Sequence, residues 1–289
     1  MKVYLRITRP MVMGVVNVTP DSFSDGGRFS TAAGIDYQAC IEQAMEMARQ
    51  GAGIIDVGGE ASSFHRPGVV SVAVEQQLRR VVPVIDGLRQ RLDQSADLGV
   101  NTILSVDTRC SQVAEAALLA GAGMINDISA GEHDPDMFRV IAAHECLVVL
   151  MHQGLETPAF APVVRENICL DVFGYLQQRA AAAVVAGIAP DHILLDPGIG
   201  FGKAPADNWR LLANIHDLVD LGFPVVLGVS RKRFLTDITM ESAPETWEAR
   251  DIATSLVTAL AAQRGVAVHR VHNVHLAAMA LAVNACLAE

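Results

Sequence analysis

Eight short apolar runs punctuate the chain, at 11–18, 53–59, 103–108, 124–129, 146–152, 192–198, 224–230 and 267–272. Each is near-continuous in Val, Ile, Leu and Met, the pattern of a strand covered on both faces. Ala-rich amphipathic stretches lie between them, at 111–122, 135–145, 209–221 and 246–264, and a last one at 275–287 follows the eighth run. Parallel strands need crossovers of this kind. The alternation therefore predicts an α/β chain with a parallel sheet, and eight units is the number that closes a (β/α)8 TIM barrel. No composition shift or low-complexity segment marks a linker, so residues 1–289 read as one domain. Longer connections follow the first, second and fifth runs, and loops of such length are often functional.

Polar residues gather at the C-terminal side of every run: Asn17, Asp56 with Glu60, Asp107, Asn126 with Asp127, His152, Asp196, Ser230 leading to Lys232, and Arg270 with His272. Burying such groups without partners is costly. In a barrel these strand ends converge on one mouth, where active sites are built. Helix capping explains an Asp, Asn or Ser at any single position. It does not explain all eight, and the pattern is that of an enzyme.

Composition narrows the class. The 289 residues are 51% hydrophobic, enough for a sizeable core, and carry 22 Lys and Arg against 32 Asp and Glu, a net charge of −10. With no long basic run, a nucleic-acid or anionic-membrane partner is not expected. No apolar run reaches the roughly 18–20 residues of a membrane span, and the opening MKVYLRITRP lacks a signal peptide's apolar stretch. Five widely spaced cysteines without a C-x-x-C pair argue against disulfides or zinc and for a cytoplasmic protein. Two tempting motifs fail on geometry. His269 and His272 are three apart on a strand and point oppositely, so His269, His272 and His275 do not predict a metal site. The stretch Gly198 to Lys203 lacks the four-residue gap of a phosphate-binding P-loop, and Ala204 stands where it needs Ser or Thr.

From Met13 the chain reads MGVVNVTPDSFSDGGRF, and then come IIDVGGE (54–60), RPG (66–68), SVDT (105–108), INDIS (125–129), LDPGIGFGK (195–203), SRK (230–232) and RVH (270–272). In order and spacing these blocks resemble the dihydropteroate synthases, and the likeness covers essentially the whole chain. It implies an enzyme of folate synthesis that joins a pterin diphosphate to 4-aminobenzoate, giving dihydropteroate and diphosphate. Asp107, Asn126 and Asp196 match the family's pterin contacts; a carboxylate that accepts two parallel N–H bonds suits an aminopyrimidinone. Lys232 matches the lysine that contacts pterin and closes over 4-aminobenzoate, and Phe201 is a further substrate-binding residue the resemblance implies. Arg66, Arg270 and His272 match the groups that bind the diphosphate, and Asn17 the contact to Mg2+. The resemblance implies no protein nucleophile: charge stabilisation of the leaving group and orientation of the substrates carry the reaction. It also implies a homodimer.

Four features depart from the family's usual pattern. The segment after the second run, residues 59–68, is three residues longer than usual and brings in Phe64 and His65, leaving Ser62 and Ser63 as candidates for a loop threonine. Arg233 stands where a small hydroxyl residue is common, near the benzoate carboxylate; Asn273 replaces an aspartate; and the segment after the fifth run is shortened. Drift in a loop is the plain reading. The sharper expectation is a rebuilt aminobenzoate pocket that tolerates sulfonamides. Two rival functions remain. A methyltetrahydrofolate-type methyltransferase would share Asp107, Asn126 and Asp196 but lack the SRK and RVH elements. A catalytically silent pterin-binding paralogue would have lost its diphosphate cations.

Overall fold

The computed structural model of the chain describes residues 7, 9–19, 30–31, 34–60, 71–95, 98, 102–154, 167–235 and 246–288. Eight parallel strands form one sheet: β1 (Met11–Asn17), β4 (Ala52–Gly58), β5 (Ile103–Asp107), β6 (Met124–Asp127), β7 (Leu147–Met151), β8 (Ile193–Asp196), β9 (Val226–Leu227) and β10 (Val268–Val271). The order is β8-β7-β6-β5-β4-β1-β10-β9, and a parallel bridge from Leu195 to Val225 joins the two ends into a barrel. A small antiparallel pair, β2 (Ser30–Thr31) and β3 (Gly34–Ile35), precedes the first helix and lies outside the barrel sheet.

The crossovers are α1 (Tyr37–Arg49), α2 (Val74–Asp93), α3 (Ser111–Leu119), α4 (Met137–His144), α5 (Ile168–Val185), α6 (Pro205–Ala213), α7 (Ile215–Val219), α8 (Trp247–Gln263) and α9 (Val274–Ala288). Several start on side-chain caps that satisfy otherwise orphaned backbone N–H groups. Asp36 accepts from Ala39 N at 2.9 Å, Thr246 from Ala249 N at 3.1 Å, and Asn273 from Leu276 N at 3.1 Å. A long-range cap serves α3, where Asp134 accepts from Ser111 N at 2.8 Å.

Two apolar layers result. The larger fills the space between barrel and helices; the smaller plugs the lumen with Met13, Ile54, Met124, Leu194, Val226 and Val268. Two expectations are refined. The run at 224–230 is a strand only at Val226–Leu227, because the chain then turns away at Gly228–Lys232 to build the mouth. The single helix expected over 209–221 begins earlier, with Pro205 at its first turn, and breaks at Asn214, whose backbone (φ −110°, ψ 24°) leaves the helical range.

Candidate active site

Side chains on a strand alternate between the two faces, so the lumen plug sets the register of the site. Two residues beyond Ile54, Met124, Leu194, Val226 and Val268 come Asp56, Asn126, Asp196, Gly228 and Arg270. They form a polar layer directly above an apolar floor, and Asp107 ends β5 in the same parity as Ile103.

Asp56 is the hub of this layer. It is fully buried and accepts from Ser105 Oγ at 2.7 Å, Asn126 Nδ2 at 3.0 Å and Arg270 Nε at 2.7 Å. Arg270 reaches on with Nη2 to Asp107 Oδ2 at 2.8 Å. One guanidinium thus spans two carboxylates from neighbouring strands, a charge-assisted arrangement that fixes its plane. Burial pushes the Asp107 carboxyl up to about 7 against the pull of Arg270, and the Asp56 charge adds to the rise. Asn17 faces the same space: a methyl group on Gly58 would lie 3.6 Å from Asn17 Oδ1 and 3.9 Å from Asp107 Oδ2.

Lys232 forms the other wall. Its Nζ donates to the carbonyl of Ile199 and lies 4.6 Å from the ring centre of Phe201, which packs with Ile128 and Met151. Burial lowers the ammonium to about 8, although Asp196 draws it upward. Burial likewise raises Asp196, opposed by Lys232 and by Gly198 N, which donates to its Oδ1 at 2.7 Å. Lys232 Nζ, Asp196 Oδ2 and Arg270 Cβ all stand 3.8–3.9 Å from where a Cβ on Gly228 would be, so a side chain there would occupy their shared space. At Gly200, with φ +81°, a Cβ would meet Lys232 Cδ at 3.0 Å, and only glycine suits both demands.

His272 is half-buried beside them. Ser230 Oγ accepts from His272 N at 3.1 Å and lies 2.9 Å from its Nδ1. Burial, with Arg231, Arg270 and Lys232 nearby, lowers the imidazole to about 3. At neutral pH the ring is uncharged, whereas the sequence suggested a cation.

The structure brings Asn17, Asp107, Asn126, Asp196, Phe201, Lys232, Arg270 and His272 to one end of the barrel. Ser62, Ser63 and Arg66, with Phe64 and His65, lie outside the described residues. Arg233 is exposed on the short 3-10 turn Arg233–Leu235. Two residues of the strand-end series serve their own loops instead. Asp127, one off the lumen parity, accepts from Ser129 N, Ser129 Oγ and Gly131 N at 2.6–2.8 Å. His152 packs edge-on to Tyr175 and sits 3.0 Å from Lys203 Nζ. That Lys203 also donates to the carbonyls of His152, Gly198 and Phe201 and so pins the loop carrying Phe201. Neither Lys203 nor the hub role of Asp56 was picked out from sequence. The signal for Asp56 was there, an acid inside an apolar run in phase with the lumen. His269 is buried outside the lumen, as its phase required, and no cluster of three metal-binding side chains occurs among the described residues.

Sequence comparison decides the family: the profile of the pterin binding enzymes matches residues 13–272. The chain belongs to that family. A dihydropteroate synthase of Staphylococcus haemolyticus is 40% identical over 271 residues, which cover 93% of this chain and 92% of that one. The dihydropteroate synthase of Xanthomonas albilineans, solved with 4-aminobenzoic acid, superposes with a TM-score of 0.84 at 40% identity, covering 98% and 95% of the two chains. The same enzyme in complex with 7,8-dihydropteroate gives 0.81 at 38% identity, with the same coverage. Among pterin binding enzymes, the chain therefore sits with the dihydropteroate synthases.

Proposed function

We infer that this enzyme is a dihydropteroate synthase: it condenses (7,8-dihydropterin-6-yl)methyl diphosphate with 4-aminobenzoate, giving 7,8-dihydropteroate and diphosphate. The observation that carries the assignment is the pairing of an acid–amide layer, Asp107, Asn126 and Asp196, with a basic wall, Lys232 and Arg270, across one lumen. The acid–amide layer complements the donor-rich edge of a pterin. The basic wall suits a diphosphate leaving group. A methyltransferase would have no use for that second half.

The residues divide the work as follows. Asp196 and ionised Asp107 accept pterin N–H groups while Asn126, oriented by Asp56, supplies a complementary amide. Arg270 and Lys232 stabilise negative charge on the departing diphosphate, and neutral His272 assists as a hydrogen-bond donor from its free ring nitrogen. Lys232 and Phe201 form a cation–aromatic wall against which the arylamine is oriented, so that its nitrogen meets the pterin methylene carbon. The C–N bond forms as the C–O bond to diphosphate breaks, and the arylamine releases one proton. Pre-oriented charges in a water-poor lumen supply most of the rate enhancement in such a scheme.

Mg2+ fits this mouth as a substrate-borne ion. Asn17 offers one amide oxygen, and two residues on, the buried Thr19 hydroxyl makes no hydrogen bond. A hydrated Mg2+ needs few protein oxygens beside substrate phosphates; held at Asn17, it would neutralise diphosphate charge. A second copy of the chain is the partner we assign to the outer face of α8 and α9. Ile252, Leu256 and Leu260, spaced four apart, are 54–62% exposed next to Met279, Val283 and Leu287 at 52–73%. Contiguous apolar stripes of this kind mark association surfaces, and sedimentation equilibrium reads the result directly. Tolerance of sulfonamides remains tied to the lengthened segment at 59–68.

Isothermal titration with the pterin diphosphate, with and without Mg2+, tests the assignment. Tight one-to-one binding, strengthened by Mg2+ and much weaker for the free pterin, is expected. Equal affinity for both ligands would remove the diphosphate half of the site.

A further inference from the structure

We propose that Asp251, on α8 behind the mouth, is a positioning residue that clamps the strained turn Ser230–Lys232 and thereby aims Lys232 and His272 at the substrates. This rests on the reading of the site as the condensing site. Arg231 lies between Ser230, which holds His272, and Lys232, which faces Asp196. Its backbone has φ +58°, in the left-handed region that a non-glycine residue occupies only when surrounding contacts hold it there. Those contacts come from the first two turns of α8. Asp251 receives two bonds from the guanidinium, Nε to Oδ1 at 2.7 Å and Nη2 to Oδ2 at 2.9 Å. Arg231 N donates to Thr254 Oγ1 at 3.3 Å, and Arg250 Nη1 donates to Arg231 O at 3.3 Å. The guanidinium also lies 5.5 Å from the ring centre of Trp247.

The pair is well shielded, Asp251 being 6% and Arg231 17% exposed at the side chain, so the attraction is little screened by solvent. Asn273, the residue directly after His272, donates to the second oxygen of Asp251 at 3.3 Å. The acid thus ties the turn carrying Lys232 to the segment that follows His272. A carboxylate of that reach, fixed on a helix, makes a rigid reference for both groups. The geometry also explains why Arg231 is not itself in the mouth: its side chain runs back to the helix while its neighbours run forward.

Steady-state condensation and titration with a free pterin are compared for the native enzyme, Asp251→Asn and the double variant Arg231→Gly with Asp251→Asn. The double variant buries no unpaired charge, and glycine accepts φ +58° without strain, so it folds even if the single variant does not. Displacement of about 1 Å at a catalytic group costs on the order of 100-fold in rate. The clamp predicts a kcat loss of about 10- to 100-fold in both variants, with pterin affinity and one-to-one stoichiometry kept by Asp107, Asn126 and Asp196. A fall in binding stoichiometry that matches the fall in kcat would mean misfolding and overturn the positioning role. So would full kcat in the double variant. If the native enzyme itself forms no product, it is the assignment of the site that fails, not the clamp.

Discussion

Replacing Asp56 by Asn keeps the shape of the hub and removes its charge. The carboxylate accepts three bonds, from Ser105, Asn126 and Arg270. An amide retains one acceptor oxygen; if that serves Ser105, its own NH2 group faces two donors, Asn126 Nδ2 and Arg270 Nε. Each lost bond to a charged group is worth about 1.5–3 kcal/mol. Arg270 keeps Asp107 as a partner, so the low end applies, and two losses come to about 3 kcal/mol. The guanidinium would swing toward Asp107 and Asn126 would turn its amide, disturbing both the pterin and the diphosphate contacts. With about 1.4 kcal/mol per decade, kcat/KM for the pterin diphosphate should fall about 100-fold. Thermal unfolding should fall by roughly 6–12 °C, at about 2–4 °C per kcal/mol for a domain approaching this size. Steady-state kinetics at saturating 4-aminobenzoate and a thermal melt read the two effects. A melt within about 2 °C of native together with kcat/KM within about threefold would refute the hub, since a buried carboxylate with three partners cannot be both central and silent.

Three further outcomes follow from the same geometry. His272→Ala should lower kcat about 10- to 100-fold, the loss of one donor to the leaving group, and because the ring stays neutral down to about pH 3, the ratio of variant to native should not change between pH 6 and 8; a ratio that rises toward pH 8 would mean that the charged ring is the working form. Burial raises Asp107 to about 7, so its two-acceptor form is complete above that pH and lost below it; pterin affinity should decline as pH falls from 8 to 6, and calorimetry on Asp107→Asn should show that slope removed. Deleting 63–65 should lower both the inhibition constant for sulfamethoxazole and the selectivity for 4-aminobenzoate over the drug, whereas unchanged inhibition and Michaelis constants would make the longer segment passive.

Much of this site could be read from sequence because of a simple coincidence of phase. Apolar strand residues and the polar residues two positions later share a face, so Asp107, Asn126, Asp196 and Arg270 could be placed in one lumen before any coordinates. The same phase put His269 outside it. What sequence could not supply was partnership across long separations. Asp56 and Arg270 are 214 positions apart, and nothing local says that the acid orients the arginine. The charge state of His272 was hidden for a similar reason: two of its three cationic neighbours, Arg231 and Lys232, come from a turn some forty positions earlier in the chain. Arg231 drew no notice beside Lys232, since a left-handed backbone leaves no mark on a non-glycine residue. The strand at 224–230 looked longer than it is because the residues that leave the ladder there, Gly228 to Ser230, remain buried in the mouth.

The central claim is that one lumen holds a pterin diphosphate and joins its methylene carbon to the amine of 4-aminobenzoate. Rapid-quench analysis of a single turnover, with enzyme in excess over pterin diphosphate and Mg2+ present, tests it most directly. Dihydropteroate and diphosphate should appear together, in equal amounts, and only when 4-aminobenzoate is added. Bound pterin diphosphate that stays intact in the presence of 4-aminobenzoate would contradict it.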